Sequence, residues 1–207
     1  MSTGQLSPRR VVPREMLYAS PLESAKLLLN KLVVRGDRVA RIVEVEAYGG
    51  SEDPASHAFK GPTQRNRSMF GPPGHLYVYF TYGMHWCANV VCGPPGAAGA
   101  VLLRAASPVA GTQEMWVARK RARRLEDLLS GPGKFAQAFG ITGAFDGADL
   151  SSDSGVVSLV EDGTPAPKVP GIGCRVGLTR GRESAWRLWV PGDRNVSPAR
   201  GASRGAG

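Results

Sequence analysis

This 207-residue sequence has few cysteines and no long apolar run. Its three cysteines, Cys87, Cys92 and Cys174, are an odd and sparse set, which argues against a disulfide framework and favours a reducing compartment. No stretch approaches the roughly 20 consecutive apolar residues of a membrane-spanning helix. Residues 1–14 lack the apolar core of a secretory signal. We therefore expect neither a membrane span nor a secretory leader.

Motifs for metal and phosphate chemistry are incomplete. His85, Cys87 and Cys92 lie close together, but tetrahedral zinc wants four ligands, and buried, unreactive cysteines are the favoured interpretation. The H-x-E and P-C-x-x-C motifs are missing, which excludes the zinc nucleobase deaminases. Gly131–Lys134 resembles a P-loop, but Phe135 replaces the metal-binding hydroxyl residue. We therefore expect no metal and no cofactor. The segment Gly131–Lys134 either holds one phosphate or simply ends one helix and begins another.

Glycine, proline and positive charge are abundant. The 27 glycines and 16 prolines make up about a fifth of the chain, against an ordinary ~12%, which favours turns and short elements over a helical bundle. The hydrophobic content of 42% is that of a folded chain, and the length fits one domain or two small ones. A net charge of +9 suits a polyanionic partner, nucleic acid first and an anionic membrane second.

Local patterns predict two longer helices and one short helix. Ser20–Glu23 has the form of a capping box and starts a helix that runs to about Leu32. Thr112 is predicted to cap a second helix, whose apolar face extends to Leu129. A short third helix is predicted at Lys134–Phe139.

Strands and turns account for the rest of the chain. Alternation and β-branched residues predict strands at Val39–Glu46, Leu76–Thr81, Met84–Val91, Ala100–Arg104, Arg175–Leu178 and Arg187–Val190. A polar loop is predicted at His57–Arg67, and the segment from Gly143 to Pro170 is predicted to be rich in turns. Together these elements predict an α+β fold: a single mixed domain over residues 11–197, with a curved antiparallel sheet, flanking helices and a protruding β-hairpin. Residues 1–10 and 198–207 are expected to be mobile tails.

Two segments bear on nucleic acid binding. Arg119–Arg124 has five basic residues in six, and we favour the solvated face of a helix over a nuclear localisation signal. In the predicted hairpin, Tyr77 and Tyr79 share one face, and Tyr82–Gly83 forms the two-residue connection. A large aromatic at such a tip is unusual. It suggests a wedge between base pairs, and the alternative is a tyrosine folded back onto its own hairpin.

Glu46 is the candidate acid–base residue. It ends a predicted strand and is followed by Tyr48 and, eleven residues on, by His57, so it could act as a general base. Glu44 shares its face of the strand and could be a plain ion-pair partner. From spacing alone, a structural salt bridge is the more common outcome for such a carboxylate.

Several of these motifs occur together and in order. They are Arg41–Tyr48, Glu52–His57, Gln64–Phe70, Pro73–Tyr79, Tyr82–Asn89, Val101–Ala105 and Gly131–Lys134. From about Leu17 to Val196, the sequence resembles the alkyladenine (3-methyladenine) DNA glycosylase family. The two tails match nothing recognisable, and the loop Gly93–Gly99 departs from the family in length and composition.

The resemblance implies roles for individual residues. Glu46 would be the general base that activates a water molecule, and Arg104 would help to hold that water and the flipped nucleotide. The other implied roles are binding of the extruded base by Tyr48, His57, Tyr79 and Asn89, and wedging of the duplex by Tyr82. We add Arg65, Arg67 and Lys134 as candidate phosphate contacts.

The implied activity is base-excision repair of double-stranded DNA. Alkylated purines, with deaminated purines as further candidates, would be flipped out and hydrolysed to leave an abasic site. No lysine occupies a matching nucleophile position, so strand cutting is not expected. We expect a monomer without membrane contact, on the chromosome in a bacterial cytoplasm or in a eukaryotic nucleus. The alternative is a non-catalytic module that binds damaged DNA or RNA, against which Glu46, His57 and Arg104 argue together.

Overall fold

The computed structural model describes residues 9–198, which form one antiparallel sheet with helices packed on it. The strands in this part of the chain are β1 (Arg10–Val11), β2 (Leu32–Arg35), β3 (Arg38–Gly49), β4 (Leu76–Thr81), β5 (His85–Cys92), β6 (Gly99–Ala110), β7 (Ser158–Glu161), β8 (Gly171–Gly173) and β9 (Arg187–Trp189). The helices are α1 (Pro21–Leu28), α2 (Thr112–Ala118) and α3 (Pro132–Phe139). The predicted α+β class is confirmed. Of the predicted tails, residues 1–8 and 199–207 lie outside the described residues.

The sheet is organised around two long strands, β3 and β6, of 12 residues each. Its strand order is β1-β7-β2-β3-β6-β5-β4, and β9 pairs with β3 beyond the end of β2. Register irregularities interrupt the β3–β6 ladder around Glu44, whereas Glu46 lies opposite Leu102. The segment Glu44–Glu46 is therefore paired on both sides, which fixes the position of its side chains.

Helices cover the core on one face of the sheet. The predicted capping box of α1 is confirmed, because Ser20 Oγ accepts from the Glu23 backbone N–H and the Glu23 carboxylate accepts from the Ser20 N–H. In α3, Phe135 and Phe139 are fully buried, with stacked rings 4.8 Å apart. These aromatic rings anchor α3 to β5 and β6, so that its N-terminus lies beside the hairpin.

The first helix ends earlier than its apolar periodicity predicts. It stops at Leu28 rather than near Leu32, because Leu29 has an extended ψ of 133° and Asn30 adopts a positive φ of 68°. This turn frees Leu32 to pair with Arg41 in the sheet. The residues predicted to form the last helical turn therefore lead into strand β2, which pairs with β3.

The second helix is also shorter than predicted, ending at Ala118 instead of Leu129. Arg119 leaves the helical region (φ −114°, ψ 53°), and its guanidinium donates to Gln137 Oε1 at 2.6 Å. The basic run Arg119–Arg124 consequently lies in largely exposed turns. Its solvent exposure agrees with the prediction, but its placement on a helix face is wrong.

The predicted hairpin and central strands are confirmed, with longer boundaries for two of them. Val39–Glu46 is the middle of β3, and Ala100–Arg104 is the first half of β6. The hairpin connection has three residues rather than two, because Thr81 pairs with His85. The strand β7 falls inside Gly143–Pro170, which was predicted to be rich in turns and for which no strand was predicted.

The predicted strand Arg175–Leu178 is wrong. The segment is irregular, and the strand nearest to it is β8. Instead of joining a strand, this segment bonds to side chains elsewhere in the fold. The Val176 backbone N–H donates to the Glu46 carboxylate, and the Arg175 guanidinium binds Asp53. Among residues 9–198, no helix combines the length and apolar character needed to cross a bilayer.

Candidate functional site

A cavity of about 690 Å³ opens between the β4–β5 hairpin, the start of α3 and the segment Val176–Leu178. Eight of the ten predicted site residues line it: Glu46, Tyr48, His57, Tyr79, Tyr82, Asn89, Arg104 and Lys134. Arg65 and Arg67 are exposed and lie outside its lining. Residues separated by almost ninety positions are thus brought to one site.

The buried carboxylate of Glu46 is the most constrained group in the cavity. Glu46 is fully buried, with 0% of its surface exposed. Oε2 accepts from Tyr48 OH at 2.9 Å, and Oε1 accepts from Val176 N–H at 2.7 Å. Arg104 Nη1 lies 3.2 Å from Oε1. A carboxylate held by three donors beside an open cavity is suited to accept a proton or to stabilise a nearby positive charge.

Glu44 lies behind Glu46 and organises the arginines. It accepts from Arg104 Nε at 2.9 Å and from Arg187 Nε at 2.6 Å, and the backbone N–H and hydroxyl of Ser197 add bonds at 2.6 and 2.9 Å. Burial lowers the pKa of Arg104, but the carboxylates of Glu46 and Glu44 outweigh it and raise the pKa. Glu44 is thus an ion-pair partner, which is one of the roles predicted for it from the sequence. It binds Arg104 through Nε and leaves Nη1 for Glu46.

An aromatic cluster of His57, Tyr77 and Tyr79 lies along the hairpin side of the cavity. The Tyr77 and Tyr79 rings stack with centroids 5.5 Å apart, and His57 meets Tyr79 edge-on at 4.5 Å. His57 Nδ1 is 3.0 Å from Tyr77 OH. Burial of the ring lowers the pKa of His57, and Arg65 lowers it further. Since the ordinary value is about 6.5, the imidazole is neutral at pH 7.

The Tyr48 side chain is held between a carboxylate and a cation. Its hydroxyl donates to Glu46, and the Arg175 guanidinium carbon lies 4.8 Å from its ring centroid. Burial, followed by the charge of Glu46, raises the pKa of Tyr48, so the hydroxyl stays protonated and remains a donor. Tyr48 therefore presents a neutral aromatic face to the cavity.

Asn89 lies on β5, opposite Tyr77 on one side and Leu102 on the other. It is 3% exposed, and its side-chain amide donates to the Tyr77 carbonyl at 3.0 Å. This bond fixes which way the amide faces, and a fixed amide in a cavity is suited to discriminate between ligands by hydrogen bonding.

The tip of the hairpin projects into solvent. Tyr82 is 78% exposed and Met84 is 67% exposed. The alternative of a tyrosine folded back onto its hairpin is therefore wrong. Tyr82 also has a positive φ of 51°, and Gly83 follows with a φ of 65°. For a bulky residue this backbone conformation is unfavourable, so an aromatic ring is kept at the tip against local preference.

Two basic side chains, Lys134 and Arg65, lie close to the cavity. Lys134, at the start of α3, donates to Ser130 Oγ at 3.1 Å, and Arg65 donates to the Phe80 carbonyl at 2.7 Å. A second cavity of about 670 Å³ lies beyond Met84 and is lined by residues of the basic run, among them Lys120. Positive charge thus lies on both sides of the hairpin.

Sequence reasoning missed several residues that hold the site together. They are Asp53, Arg175, Val176, Arg187 and Ser197, whose bonds reach Glu44, Glu46 or the backbone next to them. The sequence offered a signal for two of them. Asp53 lies inside the motif Glu52–His57, and Arg175 is a charged residue at the start of a segment that was predicted to be a strand. Within the described residues, no three His, Cys, Asp or Glu side chains are arranged to hold a metal ion.

Comparison with known proteins adds an independent finding. Residues 15–194 match the family model described as "Methylpurine-DNA glycosylase (MPG)". The chain is 49% identical over 193 residues to a protein of Burkholderia cenocepacia (strain HI2424), covering 93% of each. It is 46% identical over 189 residues to a protein of Frankia casuarinae, covering 86% of this chain and 88% of that protein. Both relatives bear the name "Putative 3-methyladenine DNA glycosylase".

Proposed function

Since the chain belongs to the methylpurine-DNA glycosylase family, we propose that it is a DNA-repair enzyme that releases alkylated purines from duplex DNA and leaves an abasic site. The observation that carries this proposal is that a buried carboxylate, Glu46, and three aromatic side chains, Tyr48, His57 and Tyr79, face one cavity. The volume of about 690 Å³ falls within the roughly 300–1,000 Å³ of small-ligand sites.

The base reaches this cavity by leaving the stack. A base inside a duplex cannot be attacked, and extruding it costs a few kcal/mol, less when the pair is damaged. The exposed ring of Tyr82 enters the gap from the minor groove and holds the duplex open. Lys134 at the opening, with Arg65 and Arg67 nearby, contacts backbone phosphates on either side of the extruded nucleotide.

The cavity prefers purines that carry a positive charge. Alkylation of a ring nitrogen makes the base cationic, and the faces of Tyr48 and Tyr79 attract a cation by about 0.5–2 kcal/mol per contact. His57 does not oppose this attraction, because burial lowers its pKa and keeps the imidazole neutral. Asn89 adds discrimination by hydrogen bonding and excludes normal guanine through its exocyclic amine.

Hydrolysis follows from the position of Glu46. The carboxylate takes a proton from a water molecule, whose oxygen bonds to the sugar C1′ while the bond from C1′ to the base nitrogen breaks. The electrons of that bond leave with the base, so a cationic base departs neutral without a general acid. Glu46 also stabilises the positive charge that develops on the sugar. Arg104 keeps the carboxylate and the water aligned.

We further propose that the strand is not cut. A lyase reaction needs an amine that attacks C1′, and the lysine that lines the cavity, Lys134, donates instead to Ser130 Oγ at the start of α3. The rival function is a module that binds damaged DNA without catalysis. The constrained carboxylate of Glu46 argues against it, since binding alone gives no reason to desolvate a carboxylate beside the base site.

The test is base release from two duplexes, one methylated and one containing hypoxanthine, without added metal. The wild-type protein should release the methylated bases, and the strand should break only after alkali treatment. Glu46→Gln should lower release by at least about 10³-fold, because proton transfer and charge stabilisation are both lost. Glu183→Gln, an exposed carboxylate, is the matched control and should behave as wild type. Tight binding to lesion DNA with no released base would establish the binding module instead.

A further inference from the structure

Asp53 and Arg175 form a buried ion pair behind the cavity. Arg175 Nη1 lies 2.5 Å from Asp53 Oδ2, and Nη2 lies 2.8 Å from Oδ1. The two side chains are 2% and 0% exposed, and neither residue lines the cavity. The pair therefore cannot touch a bound base, and any effect on base release must pass through other residues.

The pair ties together three segments that carry site residues. Asp53 accepts from the backbone N–H groups of Gly49 and Ala55, both at 3.0 Å, which joins the end of β3 to the turn that leads to His57. Arg175 donates to the Ala47 carbonyl at 2.9 Å, directly between Glu46 and Tyr48. The ion pair therefore joins all three segments, alongside the bond from Val176 N–H to Glu46.

Arg175 also governs two of the three donors that hold Glu46. The next residue, Val176, supplies the N–H that bonds Glu46 Oε1 at 2.7 Å. The guanidinium lies 4.8 Å from the ring centroid of Tyr48, and 5.2 Å from that of Trp186. Tyr48 in turn bonds Glu46 Oε2. Moving Arg175 would disturb both bonds at once.

We propose that Arg175, fixed by Asp53, is a positioning residue that orients the Glu46 carboxylate for base release. The inference rests on the proposed glycosylase function. A carboxylate that has lost its fixed orientation spends less time aligned with the attacking water, and misplacement of a catalytic group by about 1 Å can cost about 10²-fold in rate. The inference concerns the rate of the chemical step and not the affinity for DNA.

The variant that tests this is Arg175→Lys. It keeps the positive charge, and so leaves no uncompensated Asp53, but it loses the bidentate bond and the planar contact with Tyr48. Arg41→Lys is the matched control, because Arg41 forms a similar two-bond pair with Asp162 and does not line the cavity. Asp53→Asn is the second variant: it weakens the ion pair and keeps an acceptor for one of the two backbone N–H groups, which bond different carboxylate oxygens in the wild type.

The measurement is single-turnover base release from methylated duplex, with enzyme in excess over DNA. Arg175→Lys should lower the first-order rate constant by about 10- to 100-fold, with the dissociation constant for lesion DNA changed less than about threefold, and Arg41→Lys should match wild type. A purely structural pair would reduce the melting temperature or the amplitude of release, because fewer molecules are folded, and leave the rate constant unchanged.

The outcomes separate this inference from the proposed function. If wild-type protein releases no base, the proposed function fails. If wild type is active and folded Arg175→Lys reacts within about twofold of it, only the positioning role is overturned. Should Arg175→Lys not fold, Asp53→Asn carries the same test with the same expected loss of rate.

Discussion

Two carboxylates on one strand have different surroundings and serve different purposes. Glu44 and Glu46 are each 0% exposed and share Arg104. Burying a carboxylate costs several kcal/mol unless charges and donors replace its water. Glu44 receives two arginines and two donors from Ser197. Glu46 receives fewer cations and faces the cavity. Glu46, whose charge is balanced by fewer arginines, is therefore the carboxylate that is free to react.

His57 gives the cavity a pH dependence of its own. Its pKa is lowered by burial and by Arg65, so the ring stays neutral at pH 7 and takes up a proton only below the ordinary value of about 6.5. The protonated ring would repel a cationic base. Excision of methylated purines should therefore decline once the pH is lowered below the lowered pKa of His57, that is, on the acid side of 6.5.

The check is a pH series of single-turnover rates for wild type and His57→Gln. Glutamine does not titrate, so its profile should stay flat over the range in which the wild-type rate falls. The neutral lesion hypoxanthine serves as an internal control, since a charged His57 does not repel it. Identical acid limbs for the two proteins on methylated DNA would show that His57 does not set this dependence.

At the scale of elements, the hairpin β4–β5 combines an unfavourable turn with an exposed ring. Tyr82 has a φ of 51° and is 78% exposed, and the left-handed region costs a bulky residue about 1–2 kcal/mol. Asparagine tolerates this region. Tyr82→Asn should therefore leave the free energy of unfolding unchanged or raise it by up to about 1 kcal/mol, while it weakens binding to lesion DNA.

Denaturant unfolding and a DNA titration measure the two effects separately. Tyr18→Asn, which removes another partly exposed tyrosine, should leave DNA binding unchanged. A loss of stability with unaltered affinity in Tyr82→Asn would mean that the ring supports the hairpin and does not act as a wedge.

The elements also indicate how far sequence reasoning reaches. Strong local signals predicted the capping box at Ser20, the hairpin and the middle of β3 correctly. Predictions failed where tertiary contacts override local preference: Arg119 turns away from the helix to bond Gln137, and Arg175 leaves a strand-like pattern to bind Asp53. Eight of ten predicted site residues line one cavity, but the residues that orient them are known only from the fold.

Across the whole molecule, the net charge of +9 is the property most relevant to a DNA partner. Several acidic residues are used internally, for example Glu44 and Asp53. Within residues 9–198, basic residues without an acidic partner include Lys120 beside the hairpin and Arg67 in the turn before β4. The positive charge near the cavity is therefore available to backbone phosphates, which should make binding strongly dependent on salt.

The number of phosphates contacted can be read from that salt dependence. The logarithm of the association constant should fall linearly with the logarithm of salt concentration, by about 0.9 for each phosphate neutralised. Lys134→Ala, Arg65→Ala and Arg67→Ala should each reduce the slope by about 0.9 if the side chain contacts one phosphate. Lys168→Ala, an exposed cation that does not line the cavity, should leave the slope unchanged. An unaltered slope in one of the three variants would remove that residue from the DNA interface. If Lys168→Ala reduced the slope as much as the other three, the net charge of the protein, rather than specific contacts, would govern binding.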